Sequence, residues 1–396
     1  MRRRDDFPAL DGLRAVGALG VLLTHVAFQT GQYPQGVTGA VLARFDVGVA
    51  LFFVLSGFLM SIGFLRPLSE RKPHPAYLAY VIKRFFRIWP VFAVSVVLAT
   101  SLIGRDTSAG SWWRSLTLTH LYSTRFFTDG LTQMWSLETE VAFYAVLPFL
   151  MAAIGLLLRR RGWSVRPILI VLAVLVVLNW AWLGYLAAQV QPHRPFVYQW
   201  LPSYAGWFAC GIAMAVVWVD STRDASVPPR VPTLIARMAS SPGALWSLAL
   251  SALLIASTPI AGPLNLTAAT QSAAVIKNIL YAIAAVFIVL PAVFGPTDDM
   301  FHRIFSWGPL RYLGHVSYGV FCIHLVVLWY VMEAFNNEIF TGNFLEVAGV
   351  TIVASTLAAM LLYHLVERPA MRLSKRLVSG MKAPATAADR TPSVSS

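Results

Sequence analysis

Apolar residues in this chain gather into long blocks separated by short polar segments. The blocks predict helices at 13–30, 42–65, 88–104, 134–158, 167–187, 201–219, 244–258, 275–294, 312–333 and 345–366. A block near 20 residues matches a hydrocarbon core about 30 Å thick. The block at 244–258 is the shortest, and Pro259 and Pro263 part it from the next. The pattern predicts an all-α, polytopic membrane protein of about ten transmembrane helices.

Composition agrees with the pattern. Charged residues make up 12% of the 396 residues and hydrophobic ones 57%, against about 25% charged in a soluble domain. The net charge of +13 does not indicate a nucleic-acid partner. Such a partner would require Lys and Arg clustered on a polar domain. Here 24 of the 31 lie in alternate segments, 1–12, 66–87, 159–166, 220–243, 295–311 and 367–396. Six fall on the opposite side, and Arg14 lies within the first helix. That bias places both termini of a multi-pass protein in the cytoplasm. Arg2-Arg3-Arg4 followed by Ala15–Phe28 has the outline of a signal peptide, but Asp5, Asp6 and Asp11 spoil its basic start. A retained first helix is expected. Cys210 and Cys322 both lie in apolar blocks, which predicts free thiols and no Cys-based metal site.

The chain therefore divides into an N-terminus at 1–12, a membrane domain at 13–372 and a basic tail at 373–396. Its last part, 383–396, is rich in Ala, Pro, Ser and Thr and is expected to be disordered. In the outer loop 105–133, Trp112, Trp113, Leu116, Leu118 and Leu121 suggest a short interfacial helix.

Ionisable residues inside membrane helices are costly and mark function by default. Arg14 and His25 are eleven residues apart, which is about 20° from three full turns, so they share a face roughly 16 Å apart. A phosphate-compatible cation thus lies below a candidate proton acceptor. A snorkelling arginine and a hydrogen-bonded core histidine fit the spacing equally. Arg84 and Arg87, beside Lys83, are at i, i+3 and could fork onto phosphate oxygens. An inside-positive anchor explains that spacing at least as well. The fourth helix opens with Glu138, readable as a solvated acid at a helix N-terminus. Glu140 lies deeper and could orient a histidine or bind an acceptor hydroxyl. Ser317, Tyr318 and mid-depth His324 lie on the ninth helix. Glu367-Arg368 reads as an interfacial ion pair worth little. Gly12, Gly17, Gly20, Gly48, Ser56 and Gly57 read as close-packing positions.

Taken together, these segments resemble acyltransferase family 3, bacterial membrane enzymes that modify surface polysaccharides and lipids. The resemblance rests on Leu10-Asp11-Gly12-Leu13-Arg14-Ala15 with His25 and on Phe52-Phe53-Val54-Leu55-Ser56-Gly57-Phe58. It rests also on Arg84-x-x-Arg87-Ile88-x-Pro90 and Trp135-Ser136-Leu137-x-x-Glu140-x-x-Phe143-Tyr144. Gly314-x-x-Ser317-Tyr318 with His324, and Glu367-Arg368-Pro369, complete it. Six motifs run in order across about residues 7–372. Many members carry Asp where this chain has Ala50, with Asp46 nearby. The outer esterase domain fused to some members is not expected here.

The resemblance implies ten core helices and a cytoplasmic acyl-CoA donor, often acetyl-CoA, acting as co-substrate with no permanently bound cofactor and no metal. It implies a multi-pass place in the bacterial inner (cytoplasmic) membrane and an acceptor hydroxyl on an envelope glycan or glycolipid. The style of the sequence resembles actinobacterial members, some of which acetylate mycolyl-trehalose lipids. By similarity His25 is catalytic, Arg14 its essential partner and Glu140 a further active-site residue. Arg84 and Arg87, with Lys83 beside them, would bind the donor phosphates. Asp11, Ser317, Tyr318, His324 and Glu138 are further candidates. His25 could act as general base on the acceptor or carry the acyl group itself. A proton-coupled transporter or lipid flippase is the competing class, disfavoured because no paired broken-helix repeat is apparent.

Overall fold

The computed structural model describes residues 5–73, 75–103, 108–160, 162–188, 196–224, 230–264 and 269–380. Predicted segment 383–396 lies outside them.

Pro8, at the first helical position where its missing N–H costs nothing, opens α1 (Pro8–Gln29). A short α2 (Gly36–Ala43) turns into α3 (Val47–Ser69), and α4 spans Tyr77–Leu102. Ser108 caps α5 (Ala109–Leu116), its side chain accepting the Ser111 amide. A 3₁₀ turn at His120–Tyr122 leads to α6 (Met134–Leu158), α7 (Val165–Ala188) and α8 (Ala205–Ser221). Then come α9 (Thr233–Ala239) and α10 (Pro242–Ala256), bent by 82° where they meet. A 3₁₀ turn at Pro259–Ala261 precedes α11 (Gln271–Phe294), followed by α12 (Met300–Phe305), α13 (Gly308–Ala334) and α14 (Phe344–Leu362). One π turn, Tyr363–Glu367, joins α14 to α15 (Arg368–Gly380).

Among the described residues eight helical spans are long and apolar enough to cross a membrane, or nine with the α9–α10 pair counted as one. The 17-residue α8 is shorter. Every predicted block has a helix. The two largest shifts of a start toward the N-terminus are in α4, at Tyr77 rather than 88, and in α1, at Pro8 rather than 13. The added segments carry charges, Asp11 in α1 and Lys83, Arg84 and Arg87 in α4, which interrupt the apolar blocks. The short helix expected in loop 105–133 is α5, and the basic stretch after 367 is helical in α15.

The small residues do pack helices closely. A Cβ on Gly57 would strike the Phe208 carbonyl of α8, and one on Gly211 the Val54 carbonyl of α3. At the crossing of α1 and α13 a Cβ on Gly314 would strike the Asp11 carbonyl. Backbones this close gain dispersion and exclude lipid, the main attraction between helices in hydrocarbon. The principal core is built from α1, α3, α6, α8 and α11, and a second one from α4, α6 and α13. At the α2–α3 turn, Arg44 is 3% exposed. Its guanidinium donates to the carbonyls of Ala256 at 2.8 Å and Gly262 at 2.6 Å, latching α3 to the far end of α10.

Candidate active site

Helices α1, α3, α4, α6 and α13 converge on a cavity of about 110 Å³. They bring to it Arg14, Ser56, Arg84 with Arg87, Glu140 with Tyr144, and Ser317 with Tyr318. Val49, Phe52, Phe53, Leu55, Leu59 and Met60 of α3 form the apolar part of the wall. Four of the motifs therefore meet in one place: those of Arg14, Ser56, the two α4 arginines and Glu140. They are joined by Ser317-Tyr318.

The three guanidiniums differ in their surroundings. Arg87 is paired with the carboxylate of Glu367 and lies 5.6 Å from the Tyr318 ring centroid. Arg84 lies 5.8 Å over the Tyr144 ring. Among the described residues neither Arg14 nor Arg84 is ion-paired, so both keep their forked donors for an anion. Glu367 is only 1% exposed. Its expected place at the interface is thus corrected: the π turn swings the carboxylate inward, against α4. A π turn is a rare irregularity that recurs at functional sites.

Across the cavity, the Tyr144 hydroxyl donates to Glu140 Oε1 at 2.5 Å, and the Ser56 hydroxyl donates to the same oxygen. Tyr80 holds the backbone of this turn, its hydroxyl donating to the Tyr144 carbonyl at 3.1 Å. Tyr318 donates to the Ile88 carbonyl at 2.8 Å, tying α13 to α4, and Ser317 donates to Gly314 at 2.7 Å.

His25 does not line this cavity. It sits about 25 Å along α1 from Pro8, four residues from the helix end. Its Nδ1 lies 2.7 Å from the Val21 carbonyl and 3.2 Å from Nε2 of buried His324. Nδ1 of His324 in turn lies 2.8 Å from the Phe321 carbonyl. A carbonyl only accepts, so each Nδ1 carries a proton in the neutral rings. His324 Nε2 then accepts from His25, and the lone pair of His25 is on Nε2. In the loop after α1, Tyr33 donates to the Thr24 carbonyl at 3.1 Å. Burial pushes its phenol up to about 12, so it stays neutral.

Other expected residues stand apart. Lys83 is exposed and off the cavity wall. Asp11 faces His315 at 3.3 Å and Arg311 at 3.7 Å on α13. Glu138 is 3% exposed, which overturns its reading as a solvated acid. It accepts the backbone amides of His120 at 3.2 Å and Leu121 at 2.8 Å, anchoring the 3₁₀ turn to α6. Among the described residues no group of three or more His, Cys, Asp or Glu is placed to hold a metal ion.

Three features escaped sequence reasoning. Ser56 read as a packing position, although its place in the Phe-Phe-Val-Leu-Ser-Gly run was a signal. Tyr144 was part of a motif but was given no role. Lys277 of α11 went unnoticed; its Nζ lies 2.9 Å from Asp46, whose other oxygen accepts from Tyr281. Asp46 precedes position 50 by about one helical turn and thus has its own partners.

A family profile described as an acyltransferase domain, of acyltransferase family 3, matches residues 7–364. The chain is 24% identical to the peptidoglycan O-acetyltransferase OatA of Listeria monocytogenes, over 91% of its own length and 55% of that protein. It is 24% identical to the putative peptidoglycan O-acetyltransferase YrhL of Bacillus subtilis, over 91% and 54%. It is 25% identical to the acyltransferase MdmB of Streptomyces mycarofaciens, over 97% of both. The chain thus spans about half the length of the first two relatives. No solved structure matches it.

Proposed function

This chain belongs to acyltransferase family 3, and on that premise we propose that it is a membrane O-acyltransferase using cytoplasmic acyl-CoA, in the first instance acetyl-CoA. The acceptor is a hydroxyl of a cell-envelope glycan or glycolipid. A mycolyl-trehalose lipid is one such acceptor. The observation that carries the reading is the cavity lined by the Glu140 carboxylate and by Arg14 and Arg84, neither of them ion-paired among the described residues.

In this reading Arg84 holds a donor phosphate, and Arg14 offsets charge developing on the thioester carbonyl. Arg87 adds to the field, with Glu367 cancelling most of its charge. Glu140 takes a proton at the cavity. Toward the other end of α1, Nε2 of His25 receives the proton of the acceptor hydroxyl, because His324 and Val21 fix its tautomer. A neutral imidazole suits that transfer near pH 7. Both termini lie in the cytoplasm, which puts the α4 arginines on the donor side.

The test uses purified protein in lipid nanodiscs with labelled acetyl-CoA and an envelope lipid extract. Free CoA and a labelled glycolipid are expected at every turnover, and sustained release of both is lost in His25→Ala. Movement of solute or lipid with no label transferred would instead identify a transporter.

A further inference from the structure

Ser56 differs from most serines in this bundle. Ser95, Ser221 and Ser251 return their hydroxyls to carbonyls four residues back on their own helices, the usual way to satisfy a hydroxyl in lipid. Ser56 instead reaches from α3 to the Glu140 carboxylate of α6, 84 residues away in sequence. Glu140 is held in turn by the Tyr144 hydroxyl at 2.5 Å on the same oxygen. Nucleophile, base and orienting group thus stand in the order that activates a hydroxyl. The serine oxygen faces the cavity that Arg14 and Arg84 also line. His25, the expected acyl-group handler, does not line it.

We infer that Ser56 is a covalent acyl carrier: it takes the acyl group from the thioester inside the cavity and holds it as an ester until the acceptor arrives. This rests on the acyl-CoA reading above. In the first step the Ser56 oxygen attacks the thioester carbonyl and its proton passes to Glu140. The carbon–oxygen bond forms, the carbon–sulfur bond breaks, and the CoA thiolate takes the proton from Glu140 as it leaves. In the second step the acceptor oxygen attacks the ester carbonyl. The bond to Ser56 breaks, and the acceptor's proton ends on the serine oxygen. No oxidant or further reactant is needed. Arg14 offsets the negative charge on the tetrahedral oxygen in both steps.

The test is acid-quenched labelling of the full-length chain in nanodiscs with radiolabelled acetyl-CoA and no acceptor, followed by peptide mass spectrometry. About one acetyl per chain is expected on the peptide carrying Ser56, as an ester stable at neutral pH. Ser56→Ala should lose the label and about 100-fold or more of the turnover. Ser56→Cys should trap a thioester that neutral hydroxylamine cleaves, and Glu140→Gln should slow labelling of the otherwise intact serine. Turnover by Ser56→Ala within a few-fold of wild type, label on His25, or turnover with no label in wild type or Ser56→Cys would overturn the carrier and leave the acyl-CoA reading standing. Wild-type protein that releases no CoA from acetyl-CoA would overturn both.

Discussion

Nδ1 of His25 lies 3.2 Å from Nε2 of His324 across the α1–α13 interface, and the two nearest carbonyls leave only one neutral tautomer for each ring. The Val21 carbonyl fixes which nitrogen of His25 is free, and His324 adds a second acceptor on the same Nδ1. His324→Ala should cost about one hydrogen bond of positioning, near 1 kcal/mol, or about fivefold in turnover. His324→Gln, which can still accept, should recover most of it. His25→Ala should abolish transfer. Steady-state CoA release from the three variants checks the order; equal loss in His324→Ala and His25→Ala would assign His324 a direct chemical part.

Arg84 and Arg87 share a helix face, yet only Arg87 has a carboxylate partner. Arg84→Ala should raise KM for acyl-CoA about tenfold or more, the loss of a charge-assisted phosphate contact. Raising the salt concentration should weaken the wild type toward the variant. An unchanged dependence of rate on donor concentration would remove Arg84 from the donor site.

The Arg87–Glu367 pair is buried on the Glu367 side. Removing either partner alone strands a charge and should destabilise the protein by about 3–5 kcal/mol. Arg87→Met combined with Glu367→Leu should restore most of that stability. Thermal unfolding in matched detergent, run as a double-mutant cycle, reads the coupling.

Glu138 gathers two backbone amides rather than substrate. Glu138→Ala should loosen the His120–Tyr122 turn and cost about 2–3 kcal/mol, the value of hydrogen bonds to a charged acceptor. Faster hydrogen exchange at His120 and Leu121 is the expected readout, with KM for the donor unchanged.

The membrane architecture was legible because hydrocarbon demands long apolar blocks, and ten such blocks are hard to miss. Motif order placed Arg14, Arg84 and Glu140 before any coordinates did, and all three line one cavity. What stayed hidden depended on geometry that a 3.6-residue period does not encode. Glu367 turned inward because five residues form a π turn there. His25 stays off the cavity because it lies eleven residues beyond Arg14 on α1, about 16 Å farther along the helix. Lys277 meets Asp46 across 231 residues, a pairing that no local pattern announces. Ser56 looked like a packing residue because serine is both small and reactive, and only its partner on α6 separates the two uses.

The Arg44 latch constrains the order in which the chain can be assembled. Its acceptors, Ala256 and Gly262, are synthesised more than 200 residues later. Until α10 has entered the bilayer, the guanidinium at the head of α3 has no native carbonyls to satisfy it. An unsatisfied cation among lipid tails is costly, so the α2–α3 turn should stay near the headgroups during synthesis. It would settle only when the later helices arrive, and a chain truncated before α10 would leave its first helices loosely seated.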